Sequence, residues 1–88
     1  MVKEFKIRYS IIDIETTGGK FNLEKITEIA ILRINEENKV DVLHRLINPM
    51  KKIQPFVEKL TRLNNKMLEN KPIFSDVAVE IQDFTKNS

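Results

Sequence analysis

The first half of the chain contains runs of residues that would place apolar side chains on both faces of a strand. One run covers residues 5–14, and another covers residues 26–34. Strands with two apolar faces are typical of a sheet that is covered on both sides. The polar residues 35–38 predict a turn, so a hairpin into a third strand over residues 40–47 is expected. This pattern predicts a three-stranded antiparallel meander.

The second half of the chain has a helical period instead. Pro55 predicts the first turn of a helix, because its missing N–H is not needed there. Asn64 and Asn65 predict the end of this helix and the cap of a short turn that follows. A last helix is predicted after Pro72, with Ser75 as its N-cap. Its expected buried stripe consists of Ile73, Val77, Ile81 and Phe84.

The composition is that of one small globular domain and excludes several other classes. The chain has 88 residues, of which 41% are hydrophobic, and it contains no cysteine. A disulfide framework and a thiolate metal site are therefore excluded, and a reducing, cytoplasmic setting is expected. No apolar run approaches the roughly 20 residues of a membrane-spanning helix. The formal net charge of +2 does not by itself indicate a nucleic-acid binder.

Two carboxylates at the end of the first predicted strand are the strongest candidates for chemistry. Asp13 and Glu15 are two positions apart, so both side chains leave the same face of the strand, about 6.5–7 Å apart along the backbone. Carboxylates at that spacing can converge on two divalent ions about 3.5–4 Å apart. Oxygen ligands select Mg²⁺ or Mn²⁺. In the loop that follows, Gly18 and Gly19 permit close approach of the backbone to a phosphate or a terminal hydroxyl.

The same spacing also fits two solvated carboxylates at a strand end. Like charges beside an apolar run are costly unless cations neutralise them, which favours the metal site without deciding for it. Glu28 has two interpretations as well, a hydrogen bond near the site or a solvated strand-end carboxylate. His44, the only histidine, lies in the middle of a predicted strand, where a structural role is expected.

The residues around the two carboxylates resemble a known family. Residues 12–18, with the sequence IDIETTG, resemble the first motif of the DnaQ-like (DEDD) 3′–5′ exonucleases, a family that includes the proofreading (epsilon) subunit of bacterial DNA polymerase III. Later segments resemble the same family in the same order, among them ITEIA at residues 26–30 and LINP at residues 46–49. Leu60 and Thr61 also resemble its pattern, but Arg62 stands where a glycine commonly follows.

The resemblance implies a ribonuclease H-like α/β fold and a metal-dependent 3′–5′ exonuclease that releases nucleoside monophosphates from DNA, in proofreading or repair. It implies that Asp13 bridges two Mg²⁺ or Mn²⁺ ions and that Glu15 binds one of them. Thr16, Thr17 and Gly18 would hold the terminal nucleotide. The implied substrate is a single-stranded or frayed 3′ end of DNA, with RNA as an alternative. A DNA polymerase subunit is an implied partner.

The family also requires two further aspartates and a His or Tyr general base, all in later motifs. Residues 1–88 are therefore expected to be the amino-terminal part of a single exonuclease domain, with weak metal binding and no activity in isolation. The alternative is a catalytically inactive truncated domain that acts as a nucleic-acid-binding or assembly module. Because the first strand would lack a neighbour on one side, self-association through an open sheet edge is also expected.

Overall fold

Three strands form an antiparallel sheet in the order β1-β2-β3. The computed structural model describes residues 8–19, 24–86 and 88. The strands are β1 (Tyr9–Thr16), β2 (Ile26–Ile34) and β3 (Val40–Leu46). The predicted meander is thus confirmed, and β2 has the predicted bounds.

The first and third strands differ slightly from their predicted bounds. β1 continues two residues beyond the predicted end, because Glu15 and Thr16 still pair with β2. Residues 5–7 of the predicted first strand lie outside the described residues. β3 ends one residue early, at Leu46, and the N–H of Ile47 donates instead to the carbonyl of Thr27.

The turn between β2 and β3 is built by asparagines. The side-chain oxygen of Asn35 accepts hydrogen bonds from the backbone N–H groups of Glu37 and Lys39, at 2.9 and 3.0 Å. Asn38 has a φ of 62°, a left-handed conformation that asparagine tolerates better than most residues. Local side-chain chemistry therefore fixes the register of this hairpin.

Three helices follow the sheet: α1 (Pro55–Thr61), α2 (Asn65–Leu68) and α3 (Phe74–Thr85). The predicted roles of Pro55 and Asn64 are confirmed: Pro55 begins α1, and the Asn64 side chain accepts a hydrogen bond from the N–H of Met67 at 2.9 Å. The C-cap of α1 is Arg62, with a left-handed φ of 63°, and its N–H donates to the carbonyl of Glu58. Glycine is the usual residue in that conformation.

The prediction that Ser75 caps the last helix is wrong. The N-cap of α3 is Ile73, which is extended, and no side chain caps the helix there. The cause is a tertiary contact: Asn48 forms a parallel bridge with Ile73, and its N–H donates to the carbonyl of Pro72 at 2.8 Å. This bridge keeps the chain extended up to Ile73, so α3 begins directly after it.

The core lies on one face of the sheet, under α3. Its buried residues are Ile29, Ile31, Leu43, Ile47 and Val77. Ile81 and Phe84 pack against this cluster, as predicted for the stripe of α3, whereas Ile73 is 38% exposed. A second cluster under α1 and α2 comprises Ile53, Val57, Leu63 and Leu68.

β1 is the least covered strand. It pairs with β2 alone among the described strands, and Ile11, Ile12 and Ile14 are 55%, 54% and 45% exposed. The predicted open edge is therefore present within the part of the chain that the structure describes. No helix in that part is long and apolar enough to cross a membrane.

Candidate active site

Asp13 and Glu15 lie on the face of the sheet opposite α3. Residues that are directly opposite in an antiparallel pair point to the same side. Asp13 is opposite Ala30 and Glu15 is opposite Glu28, whereas the intervening Ile14 is opposite the core residue Ile29. Asp13 is exposed and Glu15 is half-buried. Both carboxylates are therefore on one accessible face, which we call the carboxylate face.

Two further ionisable residues share the carboxylate face. Ala30 is opposite His44 in the pairing of β2 with β3, so His44 lies in the same row as Asp13, with the small Ala30 between them. The Nε2 of His44 is 2.5 Å from the Oε2 of Glu28. Glu28 therefore hydrogen-bonds next to the candidate site, which decides between its two predicted interpretations.

The pairing of β1 with β2 changes register between Glu15 and Thr16. Such an irregularity bends a strand and redirects the side chains beside it, and it often occurs next to active sites. Beyond it, the hydroxyl of Thr16 donates to the carbonyl of Gly18 at 2.9 Å. The chain thus leaves the sheet directly after Thr16, the last residue of β1, and turns tightly over residues 16–19.

Thr17 anchors this loop. It is fully buried, and its N–H donates to the carbonyl of Lys25 at 3.0 Å. Its hydroxyl donates to the Oε1 of Glu24 at 2.7 Å and accepts from the N–H of Lys25 at 3.2 Å. The Thr17 side chain is therefore committed to the protein interior, and the half-buried Thr16 and Gly18 form the more accessible part of the loop.

Gly18 lies close to the side chain of Gln54, in the segment that precedes α1. A Cβ at this position would lie 2.5 Å from the Cδ of Gln54, well inside contact distance. The N–H of Gln54 also donates to the carbonyl of Thr17 at 2.9 Å. The loop is therefore held against the start of α1 by backbone and side-chain contacts together.

Glu24 and Gln54 are site-forming residues that the sequence analysis did not single out. The Oε1 of Glu24 contacts Thr17, which is 7 positions away along the chain, and Lys51, which is 27 positions away. Neither spacing corresponds to a helix or strand period, so no local pattern marks these contacts. A carboxylate directly before a buried strand was the one available signal.

The donor set suits a hard divalent cation in part. Asp13 and Glu15 supply accessible carboxylate oxygens, the ligands that Mg²⁺ and Mn²⁺ prefer. In residues 8–19, 24–86 and 88, no group of three or more His, Cys, Asp or Glu side chains is arranged to hold a metal ion. The site as described thus provides two carboxylates and leaves other coordination positions to water or to further ligands.

Comparison with protein families gives a match along nearly the whole described chain. The family model RNase_T, described as "Exonuclease", matches residues 10–88. A 3′-5′ exonuclease DinG from Staphylococcus aureus (strain USA300) is 34% identical over 79 residues. The match covers 90% of this chain and 9% of that relative, so the chain spans about a tenth of the length of the curated relatives it matches.

Two solved structures share the fold. Exonuclease X in complex with 5′ overhanging duplex DNA superimposes with a TM-score of 0.69 and 29% identity, over 82% of this chain and 42% of that one. A 3′-exonuclease that recognises the 3′ end of a histone mRNA stem-loop has a TM-score of 0.75 at 19% identity, over 93% of this chain and 40% of that one. The predicted ribonuclease H-like fold is thereby confirmed.

Proposed function

The chain belongs to the RNase_T exonuclease family, and from that premise we propose that it supplies the first metal-binding motif of a 3′–5′ exonuclease. The observation that carries the proposal is the placement of Asp13 and Glu15. Both lie on one accessible face of the sheet, directly before a loop that is packed against α1. A structural role would require neither two like charges on one face nor their accessibility.

In the proposed site, Asp13 and Glu15 would hold two Mg²⁺ or Mn²⁺ ions. When bound, such ions activate a water and stabilise the oxygens of an in-line phosphoryl displacement. Thr16 and Gly18 contribute the loop surface that receives the terminal nucleotide. Thr17 contributes by holding that loop, since its own hydroxyl is bonded to Glu24. The product is a nucleoside monophosphate released from the 3′ end.

We propose the single-stranded or frayed 3′ end of DNA as the substrate, with RNA as the alternative. Exonuclease X, at 29% identity, was solved with a DNA duplex, which supports the DNA reading. The finer form of the proposal is a role in proofreading or repair, in the cytoplasm and together with a DNA polymerase subunit. It is supported by the resemblance of residues 12–18 to the epsilon subunit. This chain covers 42% of the exonuclease X chain and 40% of the 3′-exonuclease chain. The two further aspartates and the general base would come from sequence that corresponds to the remaining parts of those two chains.

A second candidate function is a catalytically inactive nucleic-acid-binding or assembly module. It is favoured by the open edge of β1 and by the absence, among the described residues, of a group of three or more side chains arranged to hold a metal ion. The two candidates differ in whether Asp13 and Glu15 bind metal at all.

A metal titration of the 88-residue protein tests the proposal. Mn²⁺ is paramagnetic, so it broadens the NMR signals of nearby nuclei even when it binds weakly. We expect selective broadening at residues 13–18, abolished by Asp13→Asn and unchanged by Asp41→Asn, which alters a carboxylate on the α3 face of β3. Broadening that ignores Asp13→Asn would refute the metal site and favour the inactive module.

A further inference from the structure

The Glu24 carboxylate is buried behind the motif loop, and the proposed mechanism gives it no role. Its side chain is only 4% exposed. Burying an ionised carboxylate is costly unless it is paired and hydrogen-bonded. Here Oε1 accepts from the Thr17 hydroxyl at 2.7 Å and pairs with the Lys51 ammonium at 2.9 Å. The amide nitrogen of Gln54 lies 3.5 Å from Oε2.

These contacts join three separate segments of the chain at one carboxylate. Thr17 belongs to the loop after β1, Glu24 itself precedes β2, and Lys51 and Gln54 precede α1. The backbone reinforces the junction, because Thr17 donates to Lys25 and accepts from Gln54. Glu24 therefore links the motif loop to the two elements on which it rests.

The junction lies where the pairing of β1 with β2 ends. The register of β1 against β2 shifts between Glu15 and Thr16, and Thr17 is the next residue. Beyond Glu15 only Thr16 still pairs with β2, in the shifted register, so the direction of the chain on that side depends also on how Thr17 is held. The hydroxyl of Thr17 reaches Glu24, which makes that carboxylate the side-chain anchor of the position.

We infer that Glu24 is a positioning residue for the metal-binding motif. It acts through Thr17 to fix the Glu15 carboxylate and the backbone of residues 16–18 in the orientation that metal and nucleotide require. This inference rests on the proposed function. Groups that orient the ligands of a metal without touching it typically contribute about 10- to 100-fold to its affinity. Since Glu24 acts through one intervening residue, we expect the lower end of that range.

The test is Mn²⁺ binding to the 88-residue protein, with the dissociation constant taken from the broadening of signals at residues 13–18. Glu24→Ala is expected to weaken binding roughly tenfold. Glu24→Gln keeps an oxygen that can accept from Thr17, and it is expected to retain most of the affinity. The matched control is Glu37→Ala, which removes an exposed carboxylate near Lys39 in the β2–β3 turn. Faster hydrogen exchange at the Thr17 amide should accompany Glu24→Ala and be absent from the control.

A second pair of variants keeps the inference testable if Glu24→Ala does not fold. Thr17→Val removes the hydroxyl that reaches Glu24, whereas Thr17→Ser keeps it. Weakened Mn²⁺ binding in the Val variant and wild-type binding in the Ser variant would support the inference. Wild-type affinity and exchange in folded Glu24→Ala, or in Thr17→Val, would overturn it.

The same titration separates this inference from the proposed function. If Mn²⁺ binding to the unmodified protein is insensitive to Asp13→Asn, the metal site itself is refuted and the role of Glu24 falls with it. If binding depends on Asp13 but not on Glu24 or Thr17, only the positioning role is overturned.

Discussion

Glu15 lies directly opposite Glu28 in the pairing of β1 with β2. Like charges in directly opposed positions of an antiparallel pair destabilise a sheet. Glu28 is hydrogen-bonded to His44, whereas Glu15 is the residue that we propose as a metal ligand. The arrangement therefore places an electrostatic cost at the residue that we propose as a metal ligand, and a bound cation would offset that cost.

The first prediction follows from this cost. Glu15→Gln removes one of the two opposed charges, and in the presence of EDTA it should stabilise the protein by about 0.2–1 kcal/mol. The measurement is the free energy of unfolding from urea titrations. Added Mg²⁺ should raise the stability of the unmodified protein, because a ligand that binds only the folded state stabilises it. The same addition should leave Glu15→Gln unchanged.

Glu37→Gln is the control for this experiment, because it neutralises an exposed glutamate in the β2–β3 turn. Equal stability of the two variants in EDTA would show that the opposed charges carry no cost. A Mg²⁺ response in Glu15→Gln as large as that of the unmodified protein would show that Glu15 does not bind the ion.

The second prediction concerns activity. Two carboxylates leave an attacking water without a general base and the metals without a full ligand set. Residues 1–88 alone should therefore release no nucleotides from a 5′-labelled single-stranded DNA in Mg²⁺, under conditions in which a complete 3′–5′ exonuclease shortens it. Shortening by the chain, abolished by Asp13→Ala, would contradict this expectation and show that the two carboxylates suffice.

The sequence predicts those parts of the fold that local chemistry determines. β2 has its predicted bounds because an apolar run meets an asparagine turn, and Asn64 caps α2 because a side chain three residues away can reach the N–H. The Ser75 cap failed since the bridge between Asn48 and Ile73 joins residues distant in sequence. Such a contact leaves no periodic trace.

The candidate site divides in the same way. The spacing of Asp13 and Glu15 is a property of one strand, so their common face followed from the sequence, although their role in binding metal stays a prediction. The anchoring of Thr17 by Glu24 depends on how the loop folds back on the start of β2. Only the assembled structure shows that the carboxylate before β2 is buried.

The third prediction uses the departure from the family pattern at Arg62. This residue has a φ of 63°, a conformation that costs a non-glycine residue roughly 1–2 kcal/mol. Arg62→Gly should stabilise the protein by roughly 0.5–1 kcal/mol, since the greater freedom of glycine in the unfolded chain offsets part of the gain. Arg62→Ala is the matched control, because alanine also removes the side chain but keeps the strain. If both variants have the same unfolding midpoint in urea, the strain at Arg62 does not limit stability.

The last prediction concerns the open edge of β1. The strand pairs with β2 alone among the strands described, and it presents Ile11, Ile12 and Ile14 with about half of each side chain exposed. An apolar edge with unpaired backbone groups favours pairing with another chain, and a charged residue on such an edge opposes it. We therefore expect the protein to self-associate with increasing concentration in sedimentation velocity, and Ile12→Lys to remain monomeric over the same range.

Val79→Lys is the control, because it replaces an exposed apolar residue on α3 and leaves the edge intact. Self-association that persists in Ile12→Lys but is lost in Val79→Lys would place the contact on the helix, and a monomer at every concentration would show that the edge is covered by some other means.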